Sequence, residues 1–80
     1  MNSKIIHDKY GHEIWLYVDG RICYYKNGKC HRDDDLPATI YNNGGRIYYK
    51  NGQYHRAGRL PAVIHEDGSK AFYKNDRRIK

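Results

Sequence analysis

Eighty residues with a net charge of +6 and a hydrophobic share of 39% make one small domain, because a chain of this size buries only about 60% of its unfolded surface. No leader, lipidation motif or apolar run long enough to span a bilayer is present, which excludes a membrane span and predicts a soluble protein of the cytoplasm. The positive balance points to acidic partners: nucleic acid, nucleotide phosphate or a negative protein surface.

In chain order, apolar residues alternate in short runs divided by turn residues, and no stretch carries a helical period. The predicted strands are 13–18, 21–26, 29–32, 37–41, 45–50, 53–56, 61–65 and 69–74. Asp19-Gly20, Asn43-Gly44 and Asp67-Gly68 mark one set of turns. Asn27-Gly28 and Asn51-Gly52 mark a second set, as two-residue type I′ hairpins, because Asn and Gly tolerate the positive φ that both central positions need. That turn length sets Lys26 opposite Lys29, Tyr25 opposite Cys30 and Tyr24 opposite His31. Tyr49 then faces Tyr54, and Tyr48 faces His55. Pro37 and Pro61, lacking an amide proton, belong at strand starts or on an edge.

The elements repeat. Tyr24-Tyr25-Lys26-Asn27-Gly28, His31-Arg32 and Leu36-Pro37-Ala38 return 24 residues later as Tyr48-Tyr49-Lys50-Asn51-Gly52, His55-Arg56 and Leu60-Pro61-Ala62; the first word returns again as Phe72-Tyr73-Lys74-Asn75-Asp76, and the N-terminal third is a decayed copy in which Asp19-Gly20 lies over Asn43-Gly44. Half the positions from Tyr24 to Ile47 are identical one period on, which marks a tandem array. The predicted fold is all-β: a single twisted antiparallel meander sheet of three ~24-residue repeats, with units at about 4–27, 28–51 and 52–75 and a C-terminal cap at 76–80. Such an array is stabilised by stacking each unit on the next. Its two open edges allow a monomer or an edge-paired homodimer.

Strand parity assigns the faces. Cys23, Ile47 and Ala71 with Tyr25, Tyr49 and Tyr73 make the expected buried side. Arg46 and Lys70, then Tyr24, Tyr48 and Phe72, then Lys26, Lys50 and Lys74 make the other, an exposed ladder of aromatics flanked by cations and the expected partner-binding surface.

Three groups invite chemistry. His31 and His55, each followed by Arg, have the residue types of phosphodiester cleavage. Identical units nonetheless place identical groups for structural reasons, so the favoured reading pairs each His with the cross-strand Tyr and each Arg with loop carbonyls or the acidic run. Asp33-Asp34-Asp35 has no counterpart in the next unit, where Ala57-Gly58-Arg59 stands. It lacks the calcium-loop pattern and reads as a solvated loop, paired with Arg32 or Arg59, that supplies specificity to a partner contact. Cys23 and Cys30 lie diagonally across the first hairpin, too far apart for easy bridging, which predicts free thiols and a reducing compartment. Neither zinc spacing nor a phosphate-binding glycine loop is present. No catalytic residue, metal or cofactor is expected.

The words Tyr48-Tyr49-Lys50-Asn51-Gly52, His55-Arg56, Leu60-Pro61-Ala62-Val63-Ile64 and Asp67-Gly68-Ser69-Lys70 resemble the variant MORN-type repeats of large DNA virus, phage and bacterial proteins. The resemblance runs from about Trp15 to Ile79 and implies a tandem β-hairpin sheet that serves as an interaction scaffold, with no shared catalytic residue to transfer. A free-standing basic chain of this kind looks like a phage or mobile-element accessory protein, working in the host cytoplasm by stoichiometric inhibition of a defence complex such as a CRISPR effector. The alternative is binding of single-stranded nucleic acid or a phosphorylated nucleotide on the same face, with bases stacked on the aromatics.

Overall fold

The computed structural model describes residues 4–79; Lys80, the last residue of the predicted cap, lies outside them. The described residues form twelve strands and no helix. In chain order these are β1 Lys4–His7, β2 Glu13–Leu16, β3 Ile22–Lys26, β4 Lys29–Cys30, β5 Thr39–Ile40, β6 Arg46–Ile47, β7 Tyr49–Lys50, β8 Gln53–Tyr54, β9 Val63–Ile64, β10 Lys70–Ala71, β11 Tyr73–Lys74 and β12 Arg77–Arg78.

The fold is all-β, and its pairing is antiparallel throughout. The main sheet runs β1-β2-β3-β5-β6-β9-β10, with β4 added at the far end of β3, while β7–β8 and β11–β12 stand as separate hairpins. The predicted hairpin register holds: Tyr25 opposes Cys30, Lys26 opposes Lys29 and Tyr49 opposes Tyr54. Asn27, Gly28, Asn51 and Gly52 take φ of 53°, 76°, 51° and 82°, the left-handed pair a type I′ turn demands. Asn75 and Asp76 do the same at 50° and 67°. There the Asp76 carboxylate accepts the Tyr54 N–H at 2.6 Å, a bond between hairpins that joins this turn to the preceding unit.

In the last two repeats the strand run leaves the main sheet, between β6 and β7 at Tyr48 and between β10 and β11 at Phe72, whereas β3 runs unbroken within it. The Tyr24 and Tyr48 amides donate sideways to Ala38 and Ala62 at 2.7 Å, while their carbonyls accept from His31 and His55 at 3.0 and 3.1 Å. Tyr48 thus belongs to the main sheet through its N–H and to the β7–β8 hairpin through its C=O, while Tyr24 changes neighbour in the same way inside one sheet. The hairpins are then tied one to the next: Gly52 N–H reaches the Cys30 carbonyl, and Asp76 N–H reaches that of Tyr54, both at 2.8 Å.

The core is thin and built of small groups. Ala38 and Ala62 are fully buried, with Cys23, Ala71, Thr39 and Tyr48 nearly so. Cys23 and Cys30 are free thiols that flank the Thr39 hydroxyl at 3.7 and 3.6 Å.

Two expectations need correction. Tyr48 is not on an exposed face: it is 8% accessible, and Tyr24 is half-buried. Simple alternation fails because the neighbouring strand changes at these residues, and the arginine of the returning His-Arg segment covers each ring. The structure also adds β1 and β12, which lie outside the predicted strands, and ends β4 at Cys30, leaving His31 and Arg32 in the connection to β5.

Candidate functional site

The His-Arg word is the element that joins one unit to the next. His31 Nδ1 accepts the Asn51 N–H at 2.9 Å, and His55 Nδ1 accepts the Asn75 N–H at 3.1 Å, so each imidazole receives the turn of the following hairpin. This differs from the predicted pairing with the cross-strand tyrosine. The arginines behave as expected toward carbonyls: Arg32 Nη1 donates to Pro37 O at 3.2 Å and Arg56 Nη1 to Pro61 O at 3.1 Å. Their guanidinium planes also cover two tyrosine rings, with Cζ 3.7 Å from the Tyr24 ring centre and 3.8 Å from that of Tyr48, within cation–π range.

The acidic run sits at this junction and bonds an arginine of a His-Arg word, as expected, although it is Arg56 and not Arg32 or Arg59. Asp33 bonds His31 Nε2 at 2.7 Å and Lys26 Nζ at 3.1 Å. Asp35 takes Arg56 in a two-point pair at 2.9 and 3.3 Å, reaching across to the next unit. Hydrogen bonds from His31 and then Lys26 hold the Asp33 carboxyl below the usual carboxylate range. The Arg56 guanidinium does the same for Asp35.

A cleft of about 230 Å³ opens between the two His-Arg segments. It brings together His31, Asp33, Asp34, Asp35, Tyr48, Lys50 and His55 from the sequence-derived set, with Arg32 and Arg56. Tyr24, Lys26, Arg46, Lys70, Phe72 and Lys74 do not line it. Of these, Arg46, Lys70 and Lys74 are exposed and Phe72 is half-buried.

The two histidines, equivalent in sequence, differ in charge environment. His31 has a carboxylate on one side and a backbone amide on the other. His55 has Ala57 where Asp33 would stand. Burial first, then the nearby Lys50 and Lys74 charges, push its pKa below the ordinary histidine value.

One group escaped sequence reasoning. His12 is 3% accessible, stacks on His31 at 6.3 Å and bonds Asp8 through Nδ1 at 2.9 Å. Its Nε2 lies 3.6 Å from the Asp33 carboxylate. Its only sequence signal was the Asp8-x-x-x-His12 spacing around Gly11, where the Asp8 carboxylate also accepts the Tyr10 and His12 amides at 2.9 Å. Asp33 thus ties the first hairpin, the Lys26 strand end and the His31 junction together.

Among the described residues no group of His, Cys, Asp and Glu is arranged to hold a metal ion, and no helix is long and apolar enough to cross a membrane. No known protein family, curated protein or solved structure matches the chain.

Proposed function

We propose that this chain is a small non-enzymatic binding module that docks on an acidic protein surface through the lysine row Lys26, Lys50 and Lys74. The observation that carries the reading is the spacing of that row. One lysine per unit stands at the hairpin end, and the bonds from Asn51 to His31 and from Asn75 to His55 fix one hairpin on the next. Lys50 lines the His-Arg cleft, and the charges of Lys50 and Lys74 both help to lower the His55 pKa, which supports a row running beside that cleft. Lys26 is paired with Asp33 at 3.1 Å, so the exposed Lys50 and Lys74 carry most of the charge that the row would offer to a patterned acidic surface.

The resemblance to MORN-type scaffolds favours protein contact, and the setting it suggests is a phage or mobile-element inhibitor of a host defence complex such as a CRISPR effector. Both ring nitrogens of His31 are engaged within the chain, which supports a structural role over a catalytic one.

The nucleic-acid reading is weaker because stacking needs free ring faces, and Arg32 and Arg56 already lie on Tyr24 and Tyr48. The test is capture from host lysate by the wild type and by a Lys50→Glu/Lys74→Glu variant, alongside mobility shift of labelled DNA and RNA across a salt series. Loss of a captured protein in the variant, with circular dichroism unchanged, supports the module. Unchanged capture refutes the lysine row. An oligonucleotide shift that weakens linearly in log salt transfers the row to nucleic acid.

A further inference from the structure

The three turns at the other end of the strand runs share one build. In Tyr17-Val18-Asp19-Gly20, Tyr41-Asn42-Asn43-Gly44 and His65-Glu66-Asp67-Gly68, the Gly N–H donates to the first residue's carbonyl at 2.9, 3.1 and 2.9 Å. The third residue's Oδ1 accepts the N–H of the residue after the glycine, at 2.9, 3.0 and 2.9 Å. With the backbone frame held constant, what differs is the residue that follows: Arg21, Gly45 or Ser69.

Arg21 folds back over the Tyr17 ring, its Cζ 4.0 Å from the ring centre. Gly45 has nothing to fold, and Tyr41, standing where Tyr17 stands one unit earlier, is 36% accessible. The clefts between successive turns record the difference. The first, walled by Asp19, Arg21 and Tyr41-Asn42-Asn43, holds about 350 Å³. The second holds about 560 Å³ at the matching positions one unit on, and it reaches Tyr41, Ile47 and Val63 under a rim of His65, Glu66 and Asp67.

We propose that this second cleft binds an arginine side chain of a partner protein, its guanidinium lying on Tyr41 as Arg21 lies on Tyr17. The chemistry is complementary in each part. The Tyr41 ring offers a cation–π face, Ile47 and Val63 offer an apolar floor for the methylene stem, and Glu66 and Asp67 supply negative charge at the rim. No Lys or Arg is among the cleft's lining residues, so a local cation site exists on a chain whose net charge is positive. Arginine fits better than lysine because a planar, weakly hydrated guanidinium stacks on a ring where a compact ammonium does not.

Gly45 shows how the vacancy is made. A Cβ there would lie 3.4 Å from Tyr41 Cδ2, 3.3 Å from Asn43 Oδ1 and 3.6 Å from the Ile64 carbonyl oxygen, so glycine leaves the space beside the ring to another group. An arginine at this position, as at Arg21, is expected to compete for the Tyr41 face. This site lies at the opposite ends of the strand runs from the lysine row, and it stands whether or not that row binds a partner.

The experiment is an NMR titration of the isotope-labelled full chain with the tripeptide acetyl-Gly-Arg-Gly-amide, and with its lysine and citrulline analogues, at constant ionic strength. The arginine peptide is expected to give saturable millimolar shifts at Tyr41, Gly45 and Val63. Lysine should bind about threefold more weakly and citrulline without saturation. Tyr41→Leu and Gly45→Arg should each weaken arginine binding by about fivefold or more, whereas Lys50→Glu/Lys74→Glu should leave it unchanged. Non-saturating shifts with the arginine peptide, equal binding of citrulline, or full affinity in Tyr41→Leu overturns the proposal. Tyr41→Leu keeps the test decisive if Gly45→Arg disturbs the turn.

Discussion

Removing the Arg56 side chain tests whether the His-Arg word is structural. The Arg56 side chain is only 13% accessible and makes three contacts: the Tyr48 ring, the Pro61 carbonyl and the Asp35 carboxylate. A largely desolvated cation–π contact contributes about 2 kcal/mol, and a charge-assisted hydrogen bond to a carbonyl about 1.5–3 kcal/mol. The Asp35 pair adds less than about 1 kcal/mol, since that carboxylate is 52% accessible and screened by water. These terms share one guanidinium and do not add fully, so Arg56→Ala should cost about 3 kcal/mol. In a domain of this size that is a fall in Tm of roughly 12–24 °C. Arg56→Lys keeps the charge and loses the stacked plane and fork, so about half that loss is expected, while Asp35→Asn should cost under about 1 kcal/mol. Urea unfolding of the three variants followed by circular dichroism reads the series. A loss under about 1 kcal/mol for Arg56→Ala, or full retention by Arg56→Lys, would refute the reasoning, because Tyr48 would then be held without the plane that covers it.

Acid should act on the third hairpin before the rest. The folded pKa of His55 is depressed, so folding favours the neutral ring that accepts the Asn75 N–H. That stability is complete above the unfolded value near 6.5 and is lost as pH falls through the folded pKa. Protection of the Asn75 amide should fall as the pH is taken below about 6.5, and protection that stays constant on acidification until the whole chain unfolds argues against the link. Ala62→Val places two methyl groups at a fully buried position and should destabilise by about 1–3 kcal/mol through overpacking, as thermal melting would register. Burial raises the Cys30 thiol pKa and Cys23 is 6% accessible, so both should react with a thiol reagent slowly in the native state and fast in denaturant; native rates equal to those of the unfolded chain would contradict that.

Much of the sheet was legible because it rests on local chemistry. Asn-Gly specifies a two-residue turn, and the turn specifies register, so the facing of Tyr25 with Cys30 and of Tyr49 with Tyr54 was readable from a dipeptide. The faces were not readable at Tyr24 and Tyr48, because parity presumes that a strand keeps one set of neighbours, and these residues divide their N–H and C=O between two. β1 offered Ile5 and Ile6 side by side, with no alternation, and β12 is two arginines with no apolar signal. The cover over the tyrosines was hidden for another reason. Arginine was weighed as a charge seeking carbonyls and acids, which it finds, while its flat face was left out of account.

The residues that obey the repeat are largely consumed by it. Tyr24 and Tyr48, His31 and His55, Arg32 and Arg56 all bond or stack within the chain, and they do so because each unit must present the same groups to its neighbour for the array to close. Side chains so committed have little left for a partner. Departures from the repeat are freed from that duty, and each one changes the surface: Asp33-Asp34-Asp35 in place of Ala57-Gly58-Arg59, Ala57 in place of a carboxylate beside His55, Gly45 in place of Arg21 beneath Tyr41. In the proposed reading, a linear array would draw affinity from regularity, through a charge repeated once per unit such as Lys26, Lys50 and Lys74. It generates selectivity at the positions where one unit differs from the next. Recognition by this chain is therefore expected to depend on the register in which a partner lies along it, with Asp34 and Tyr41 discriminating among partners that the lysines alone would accept equally.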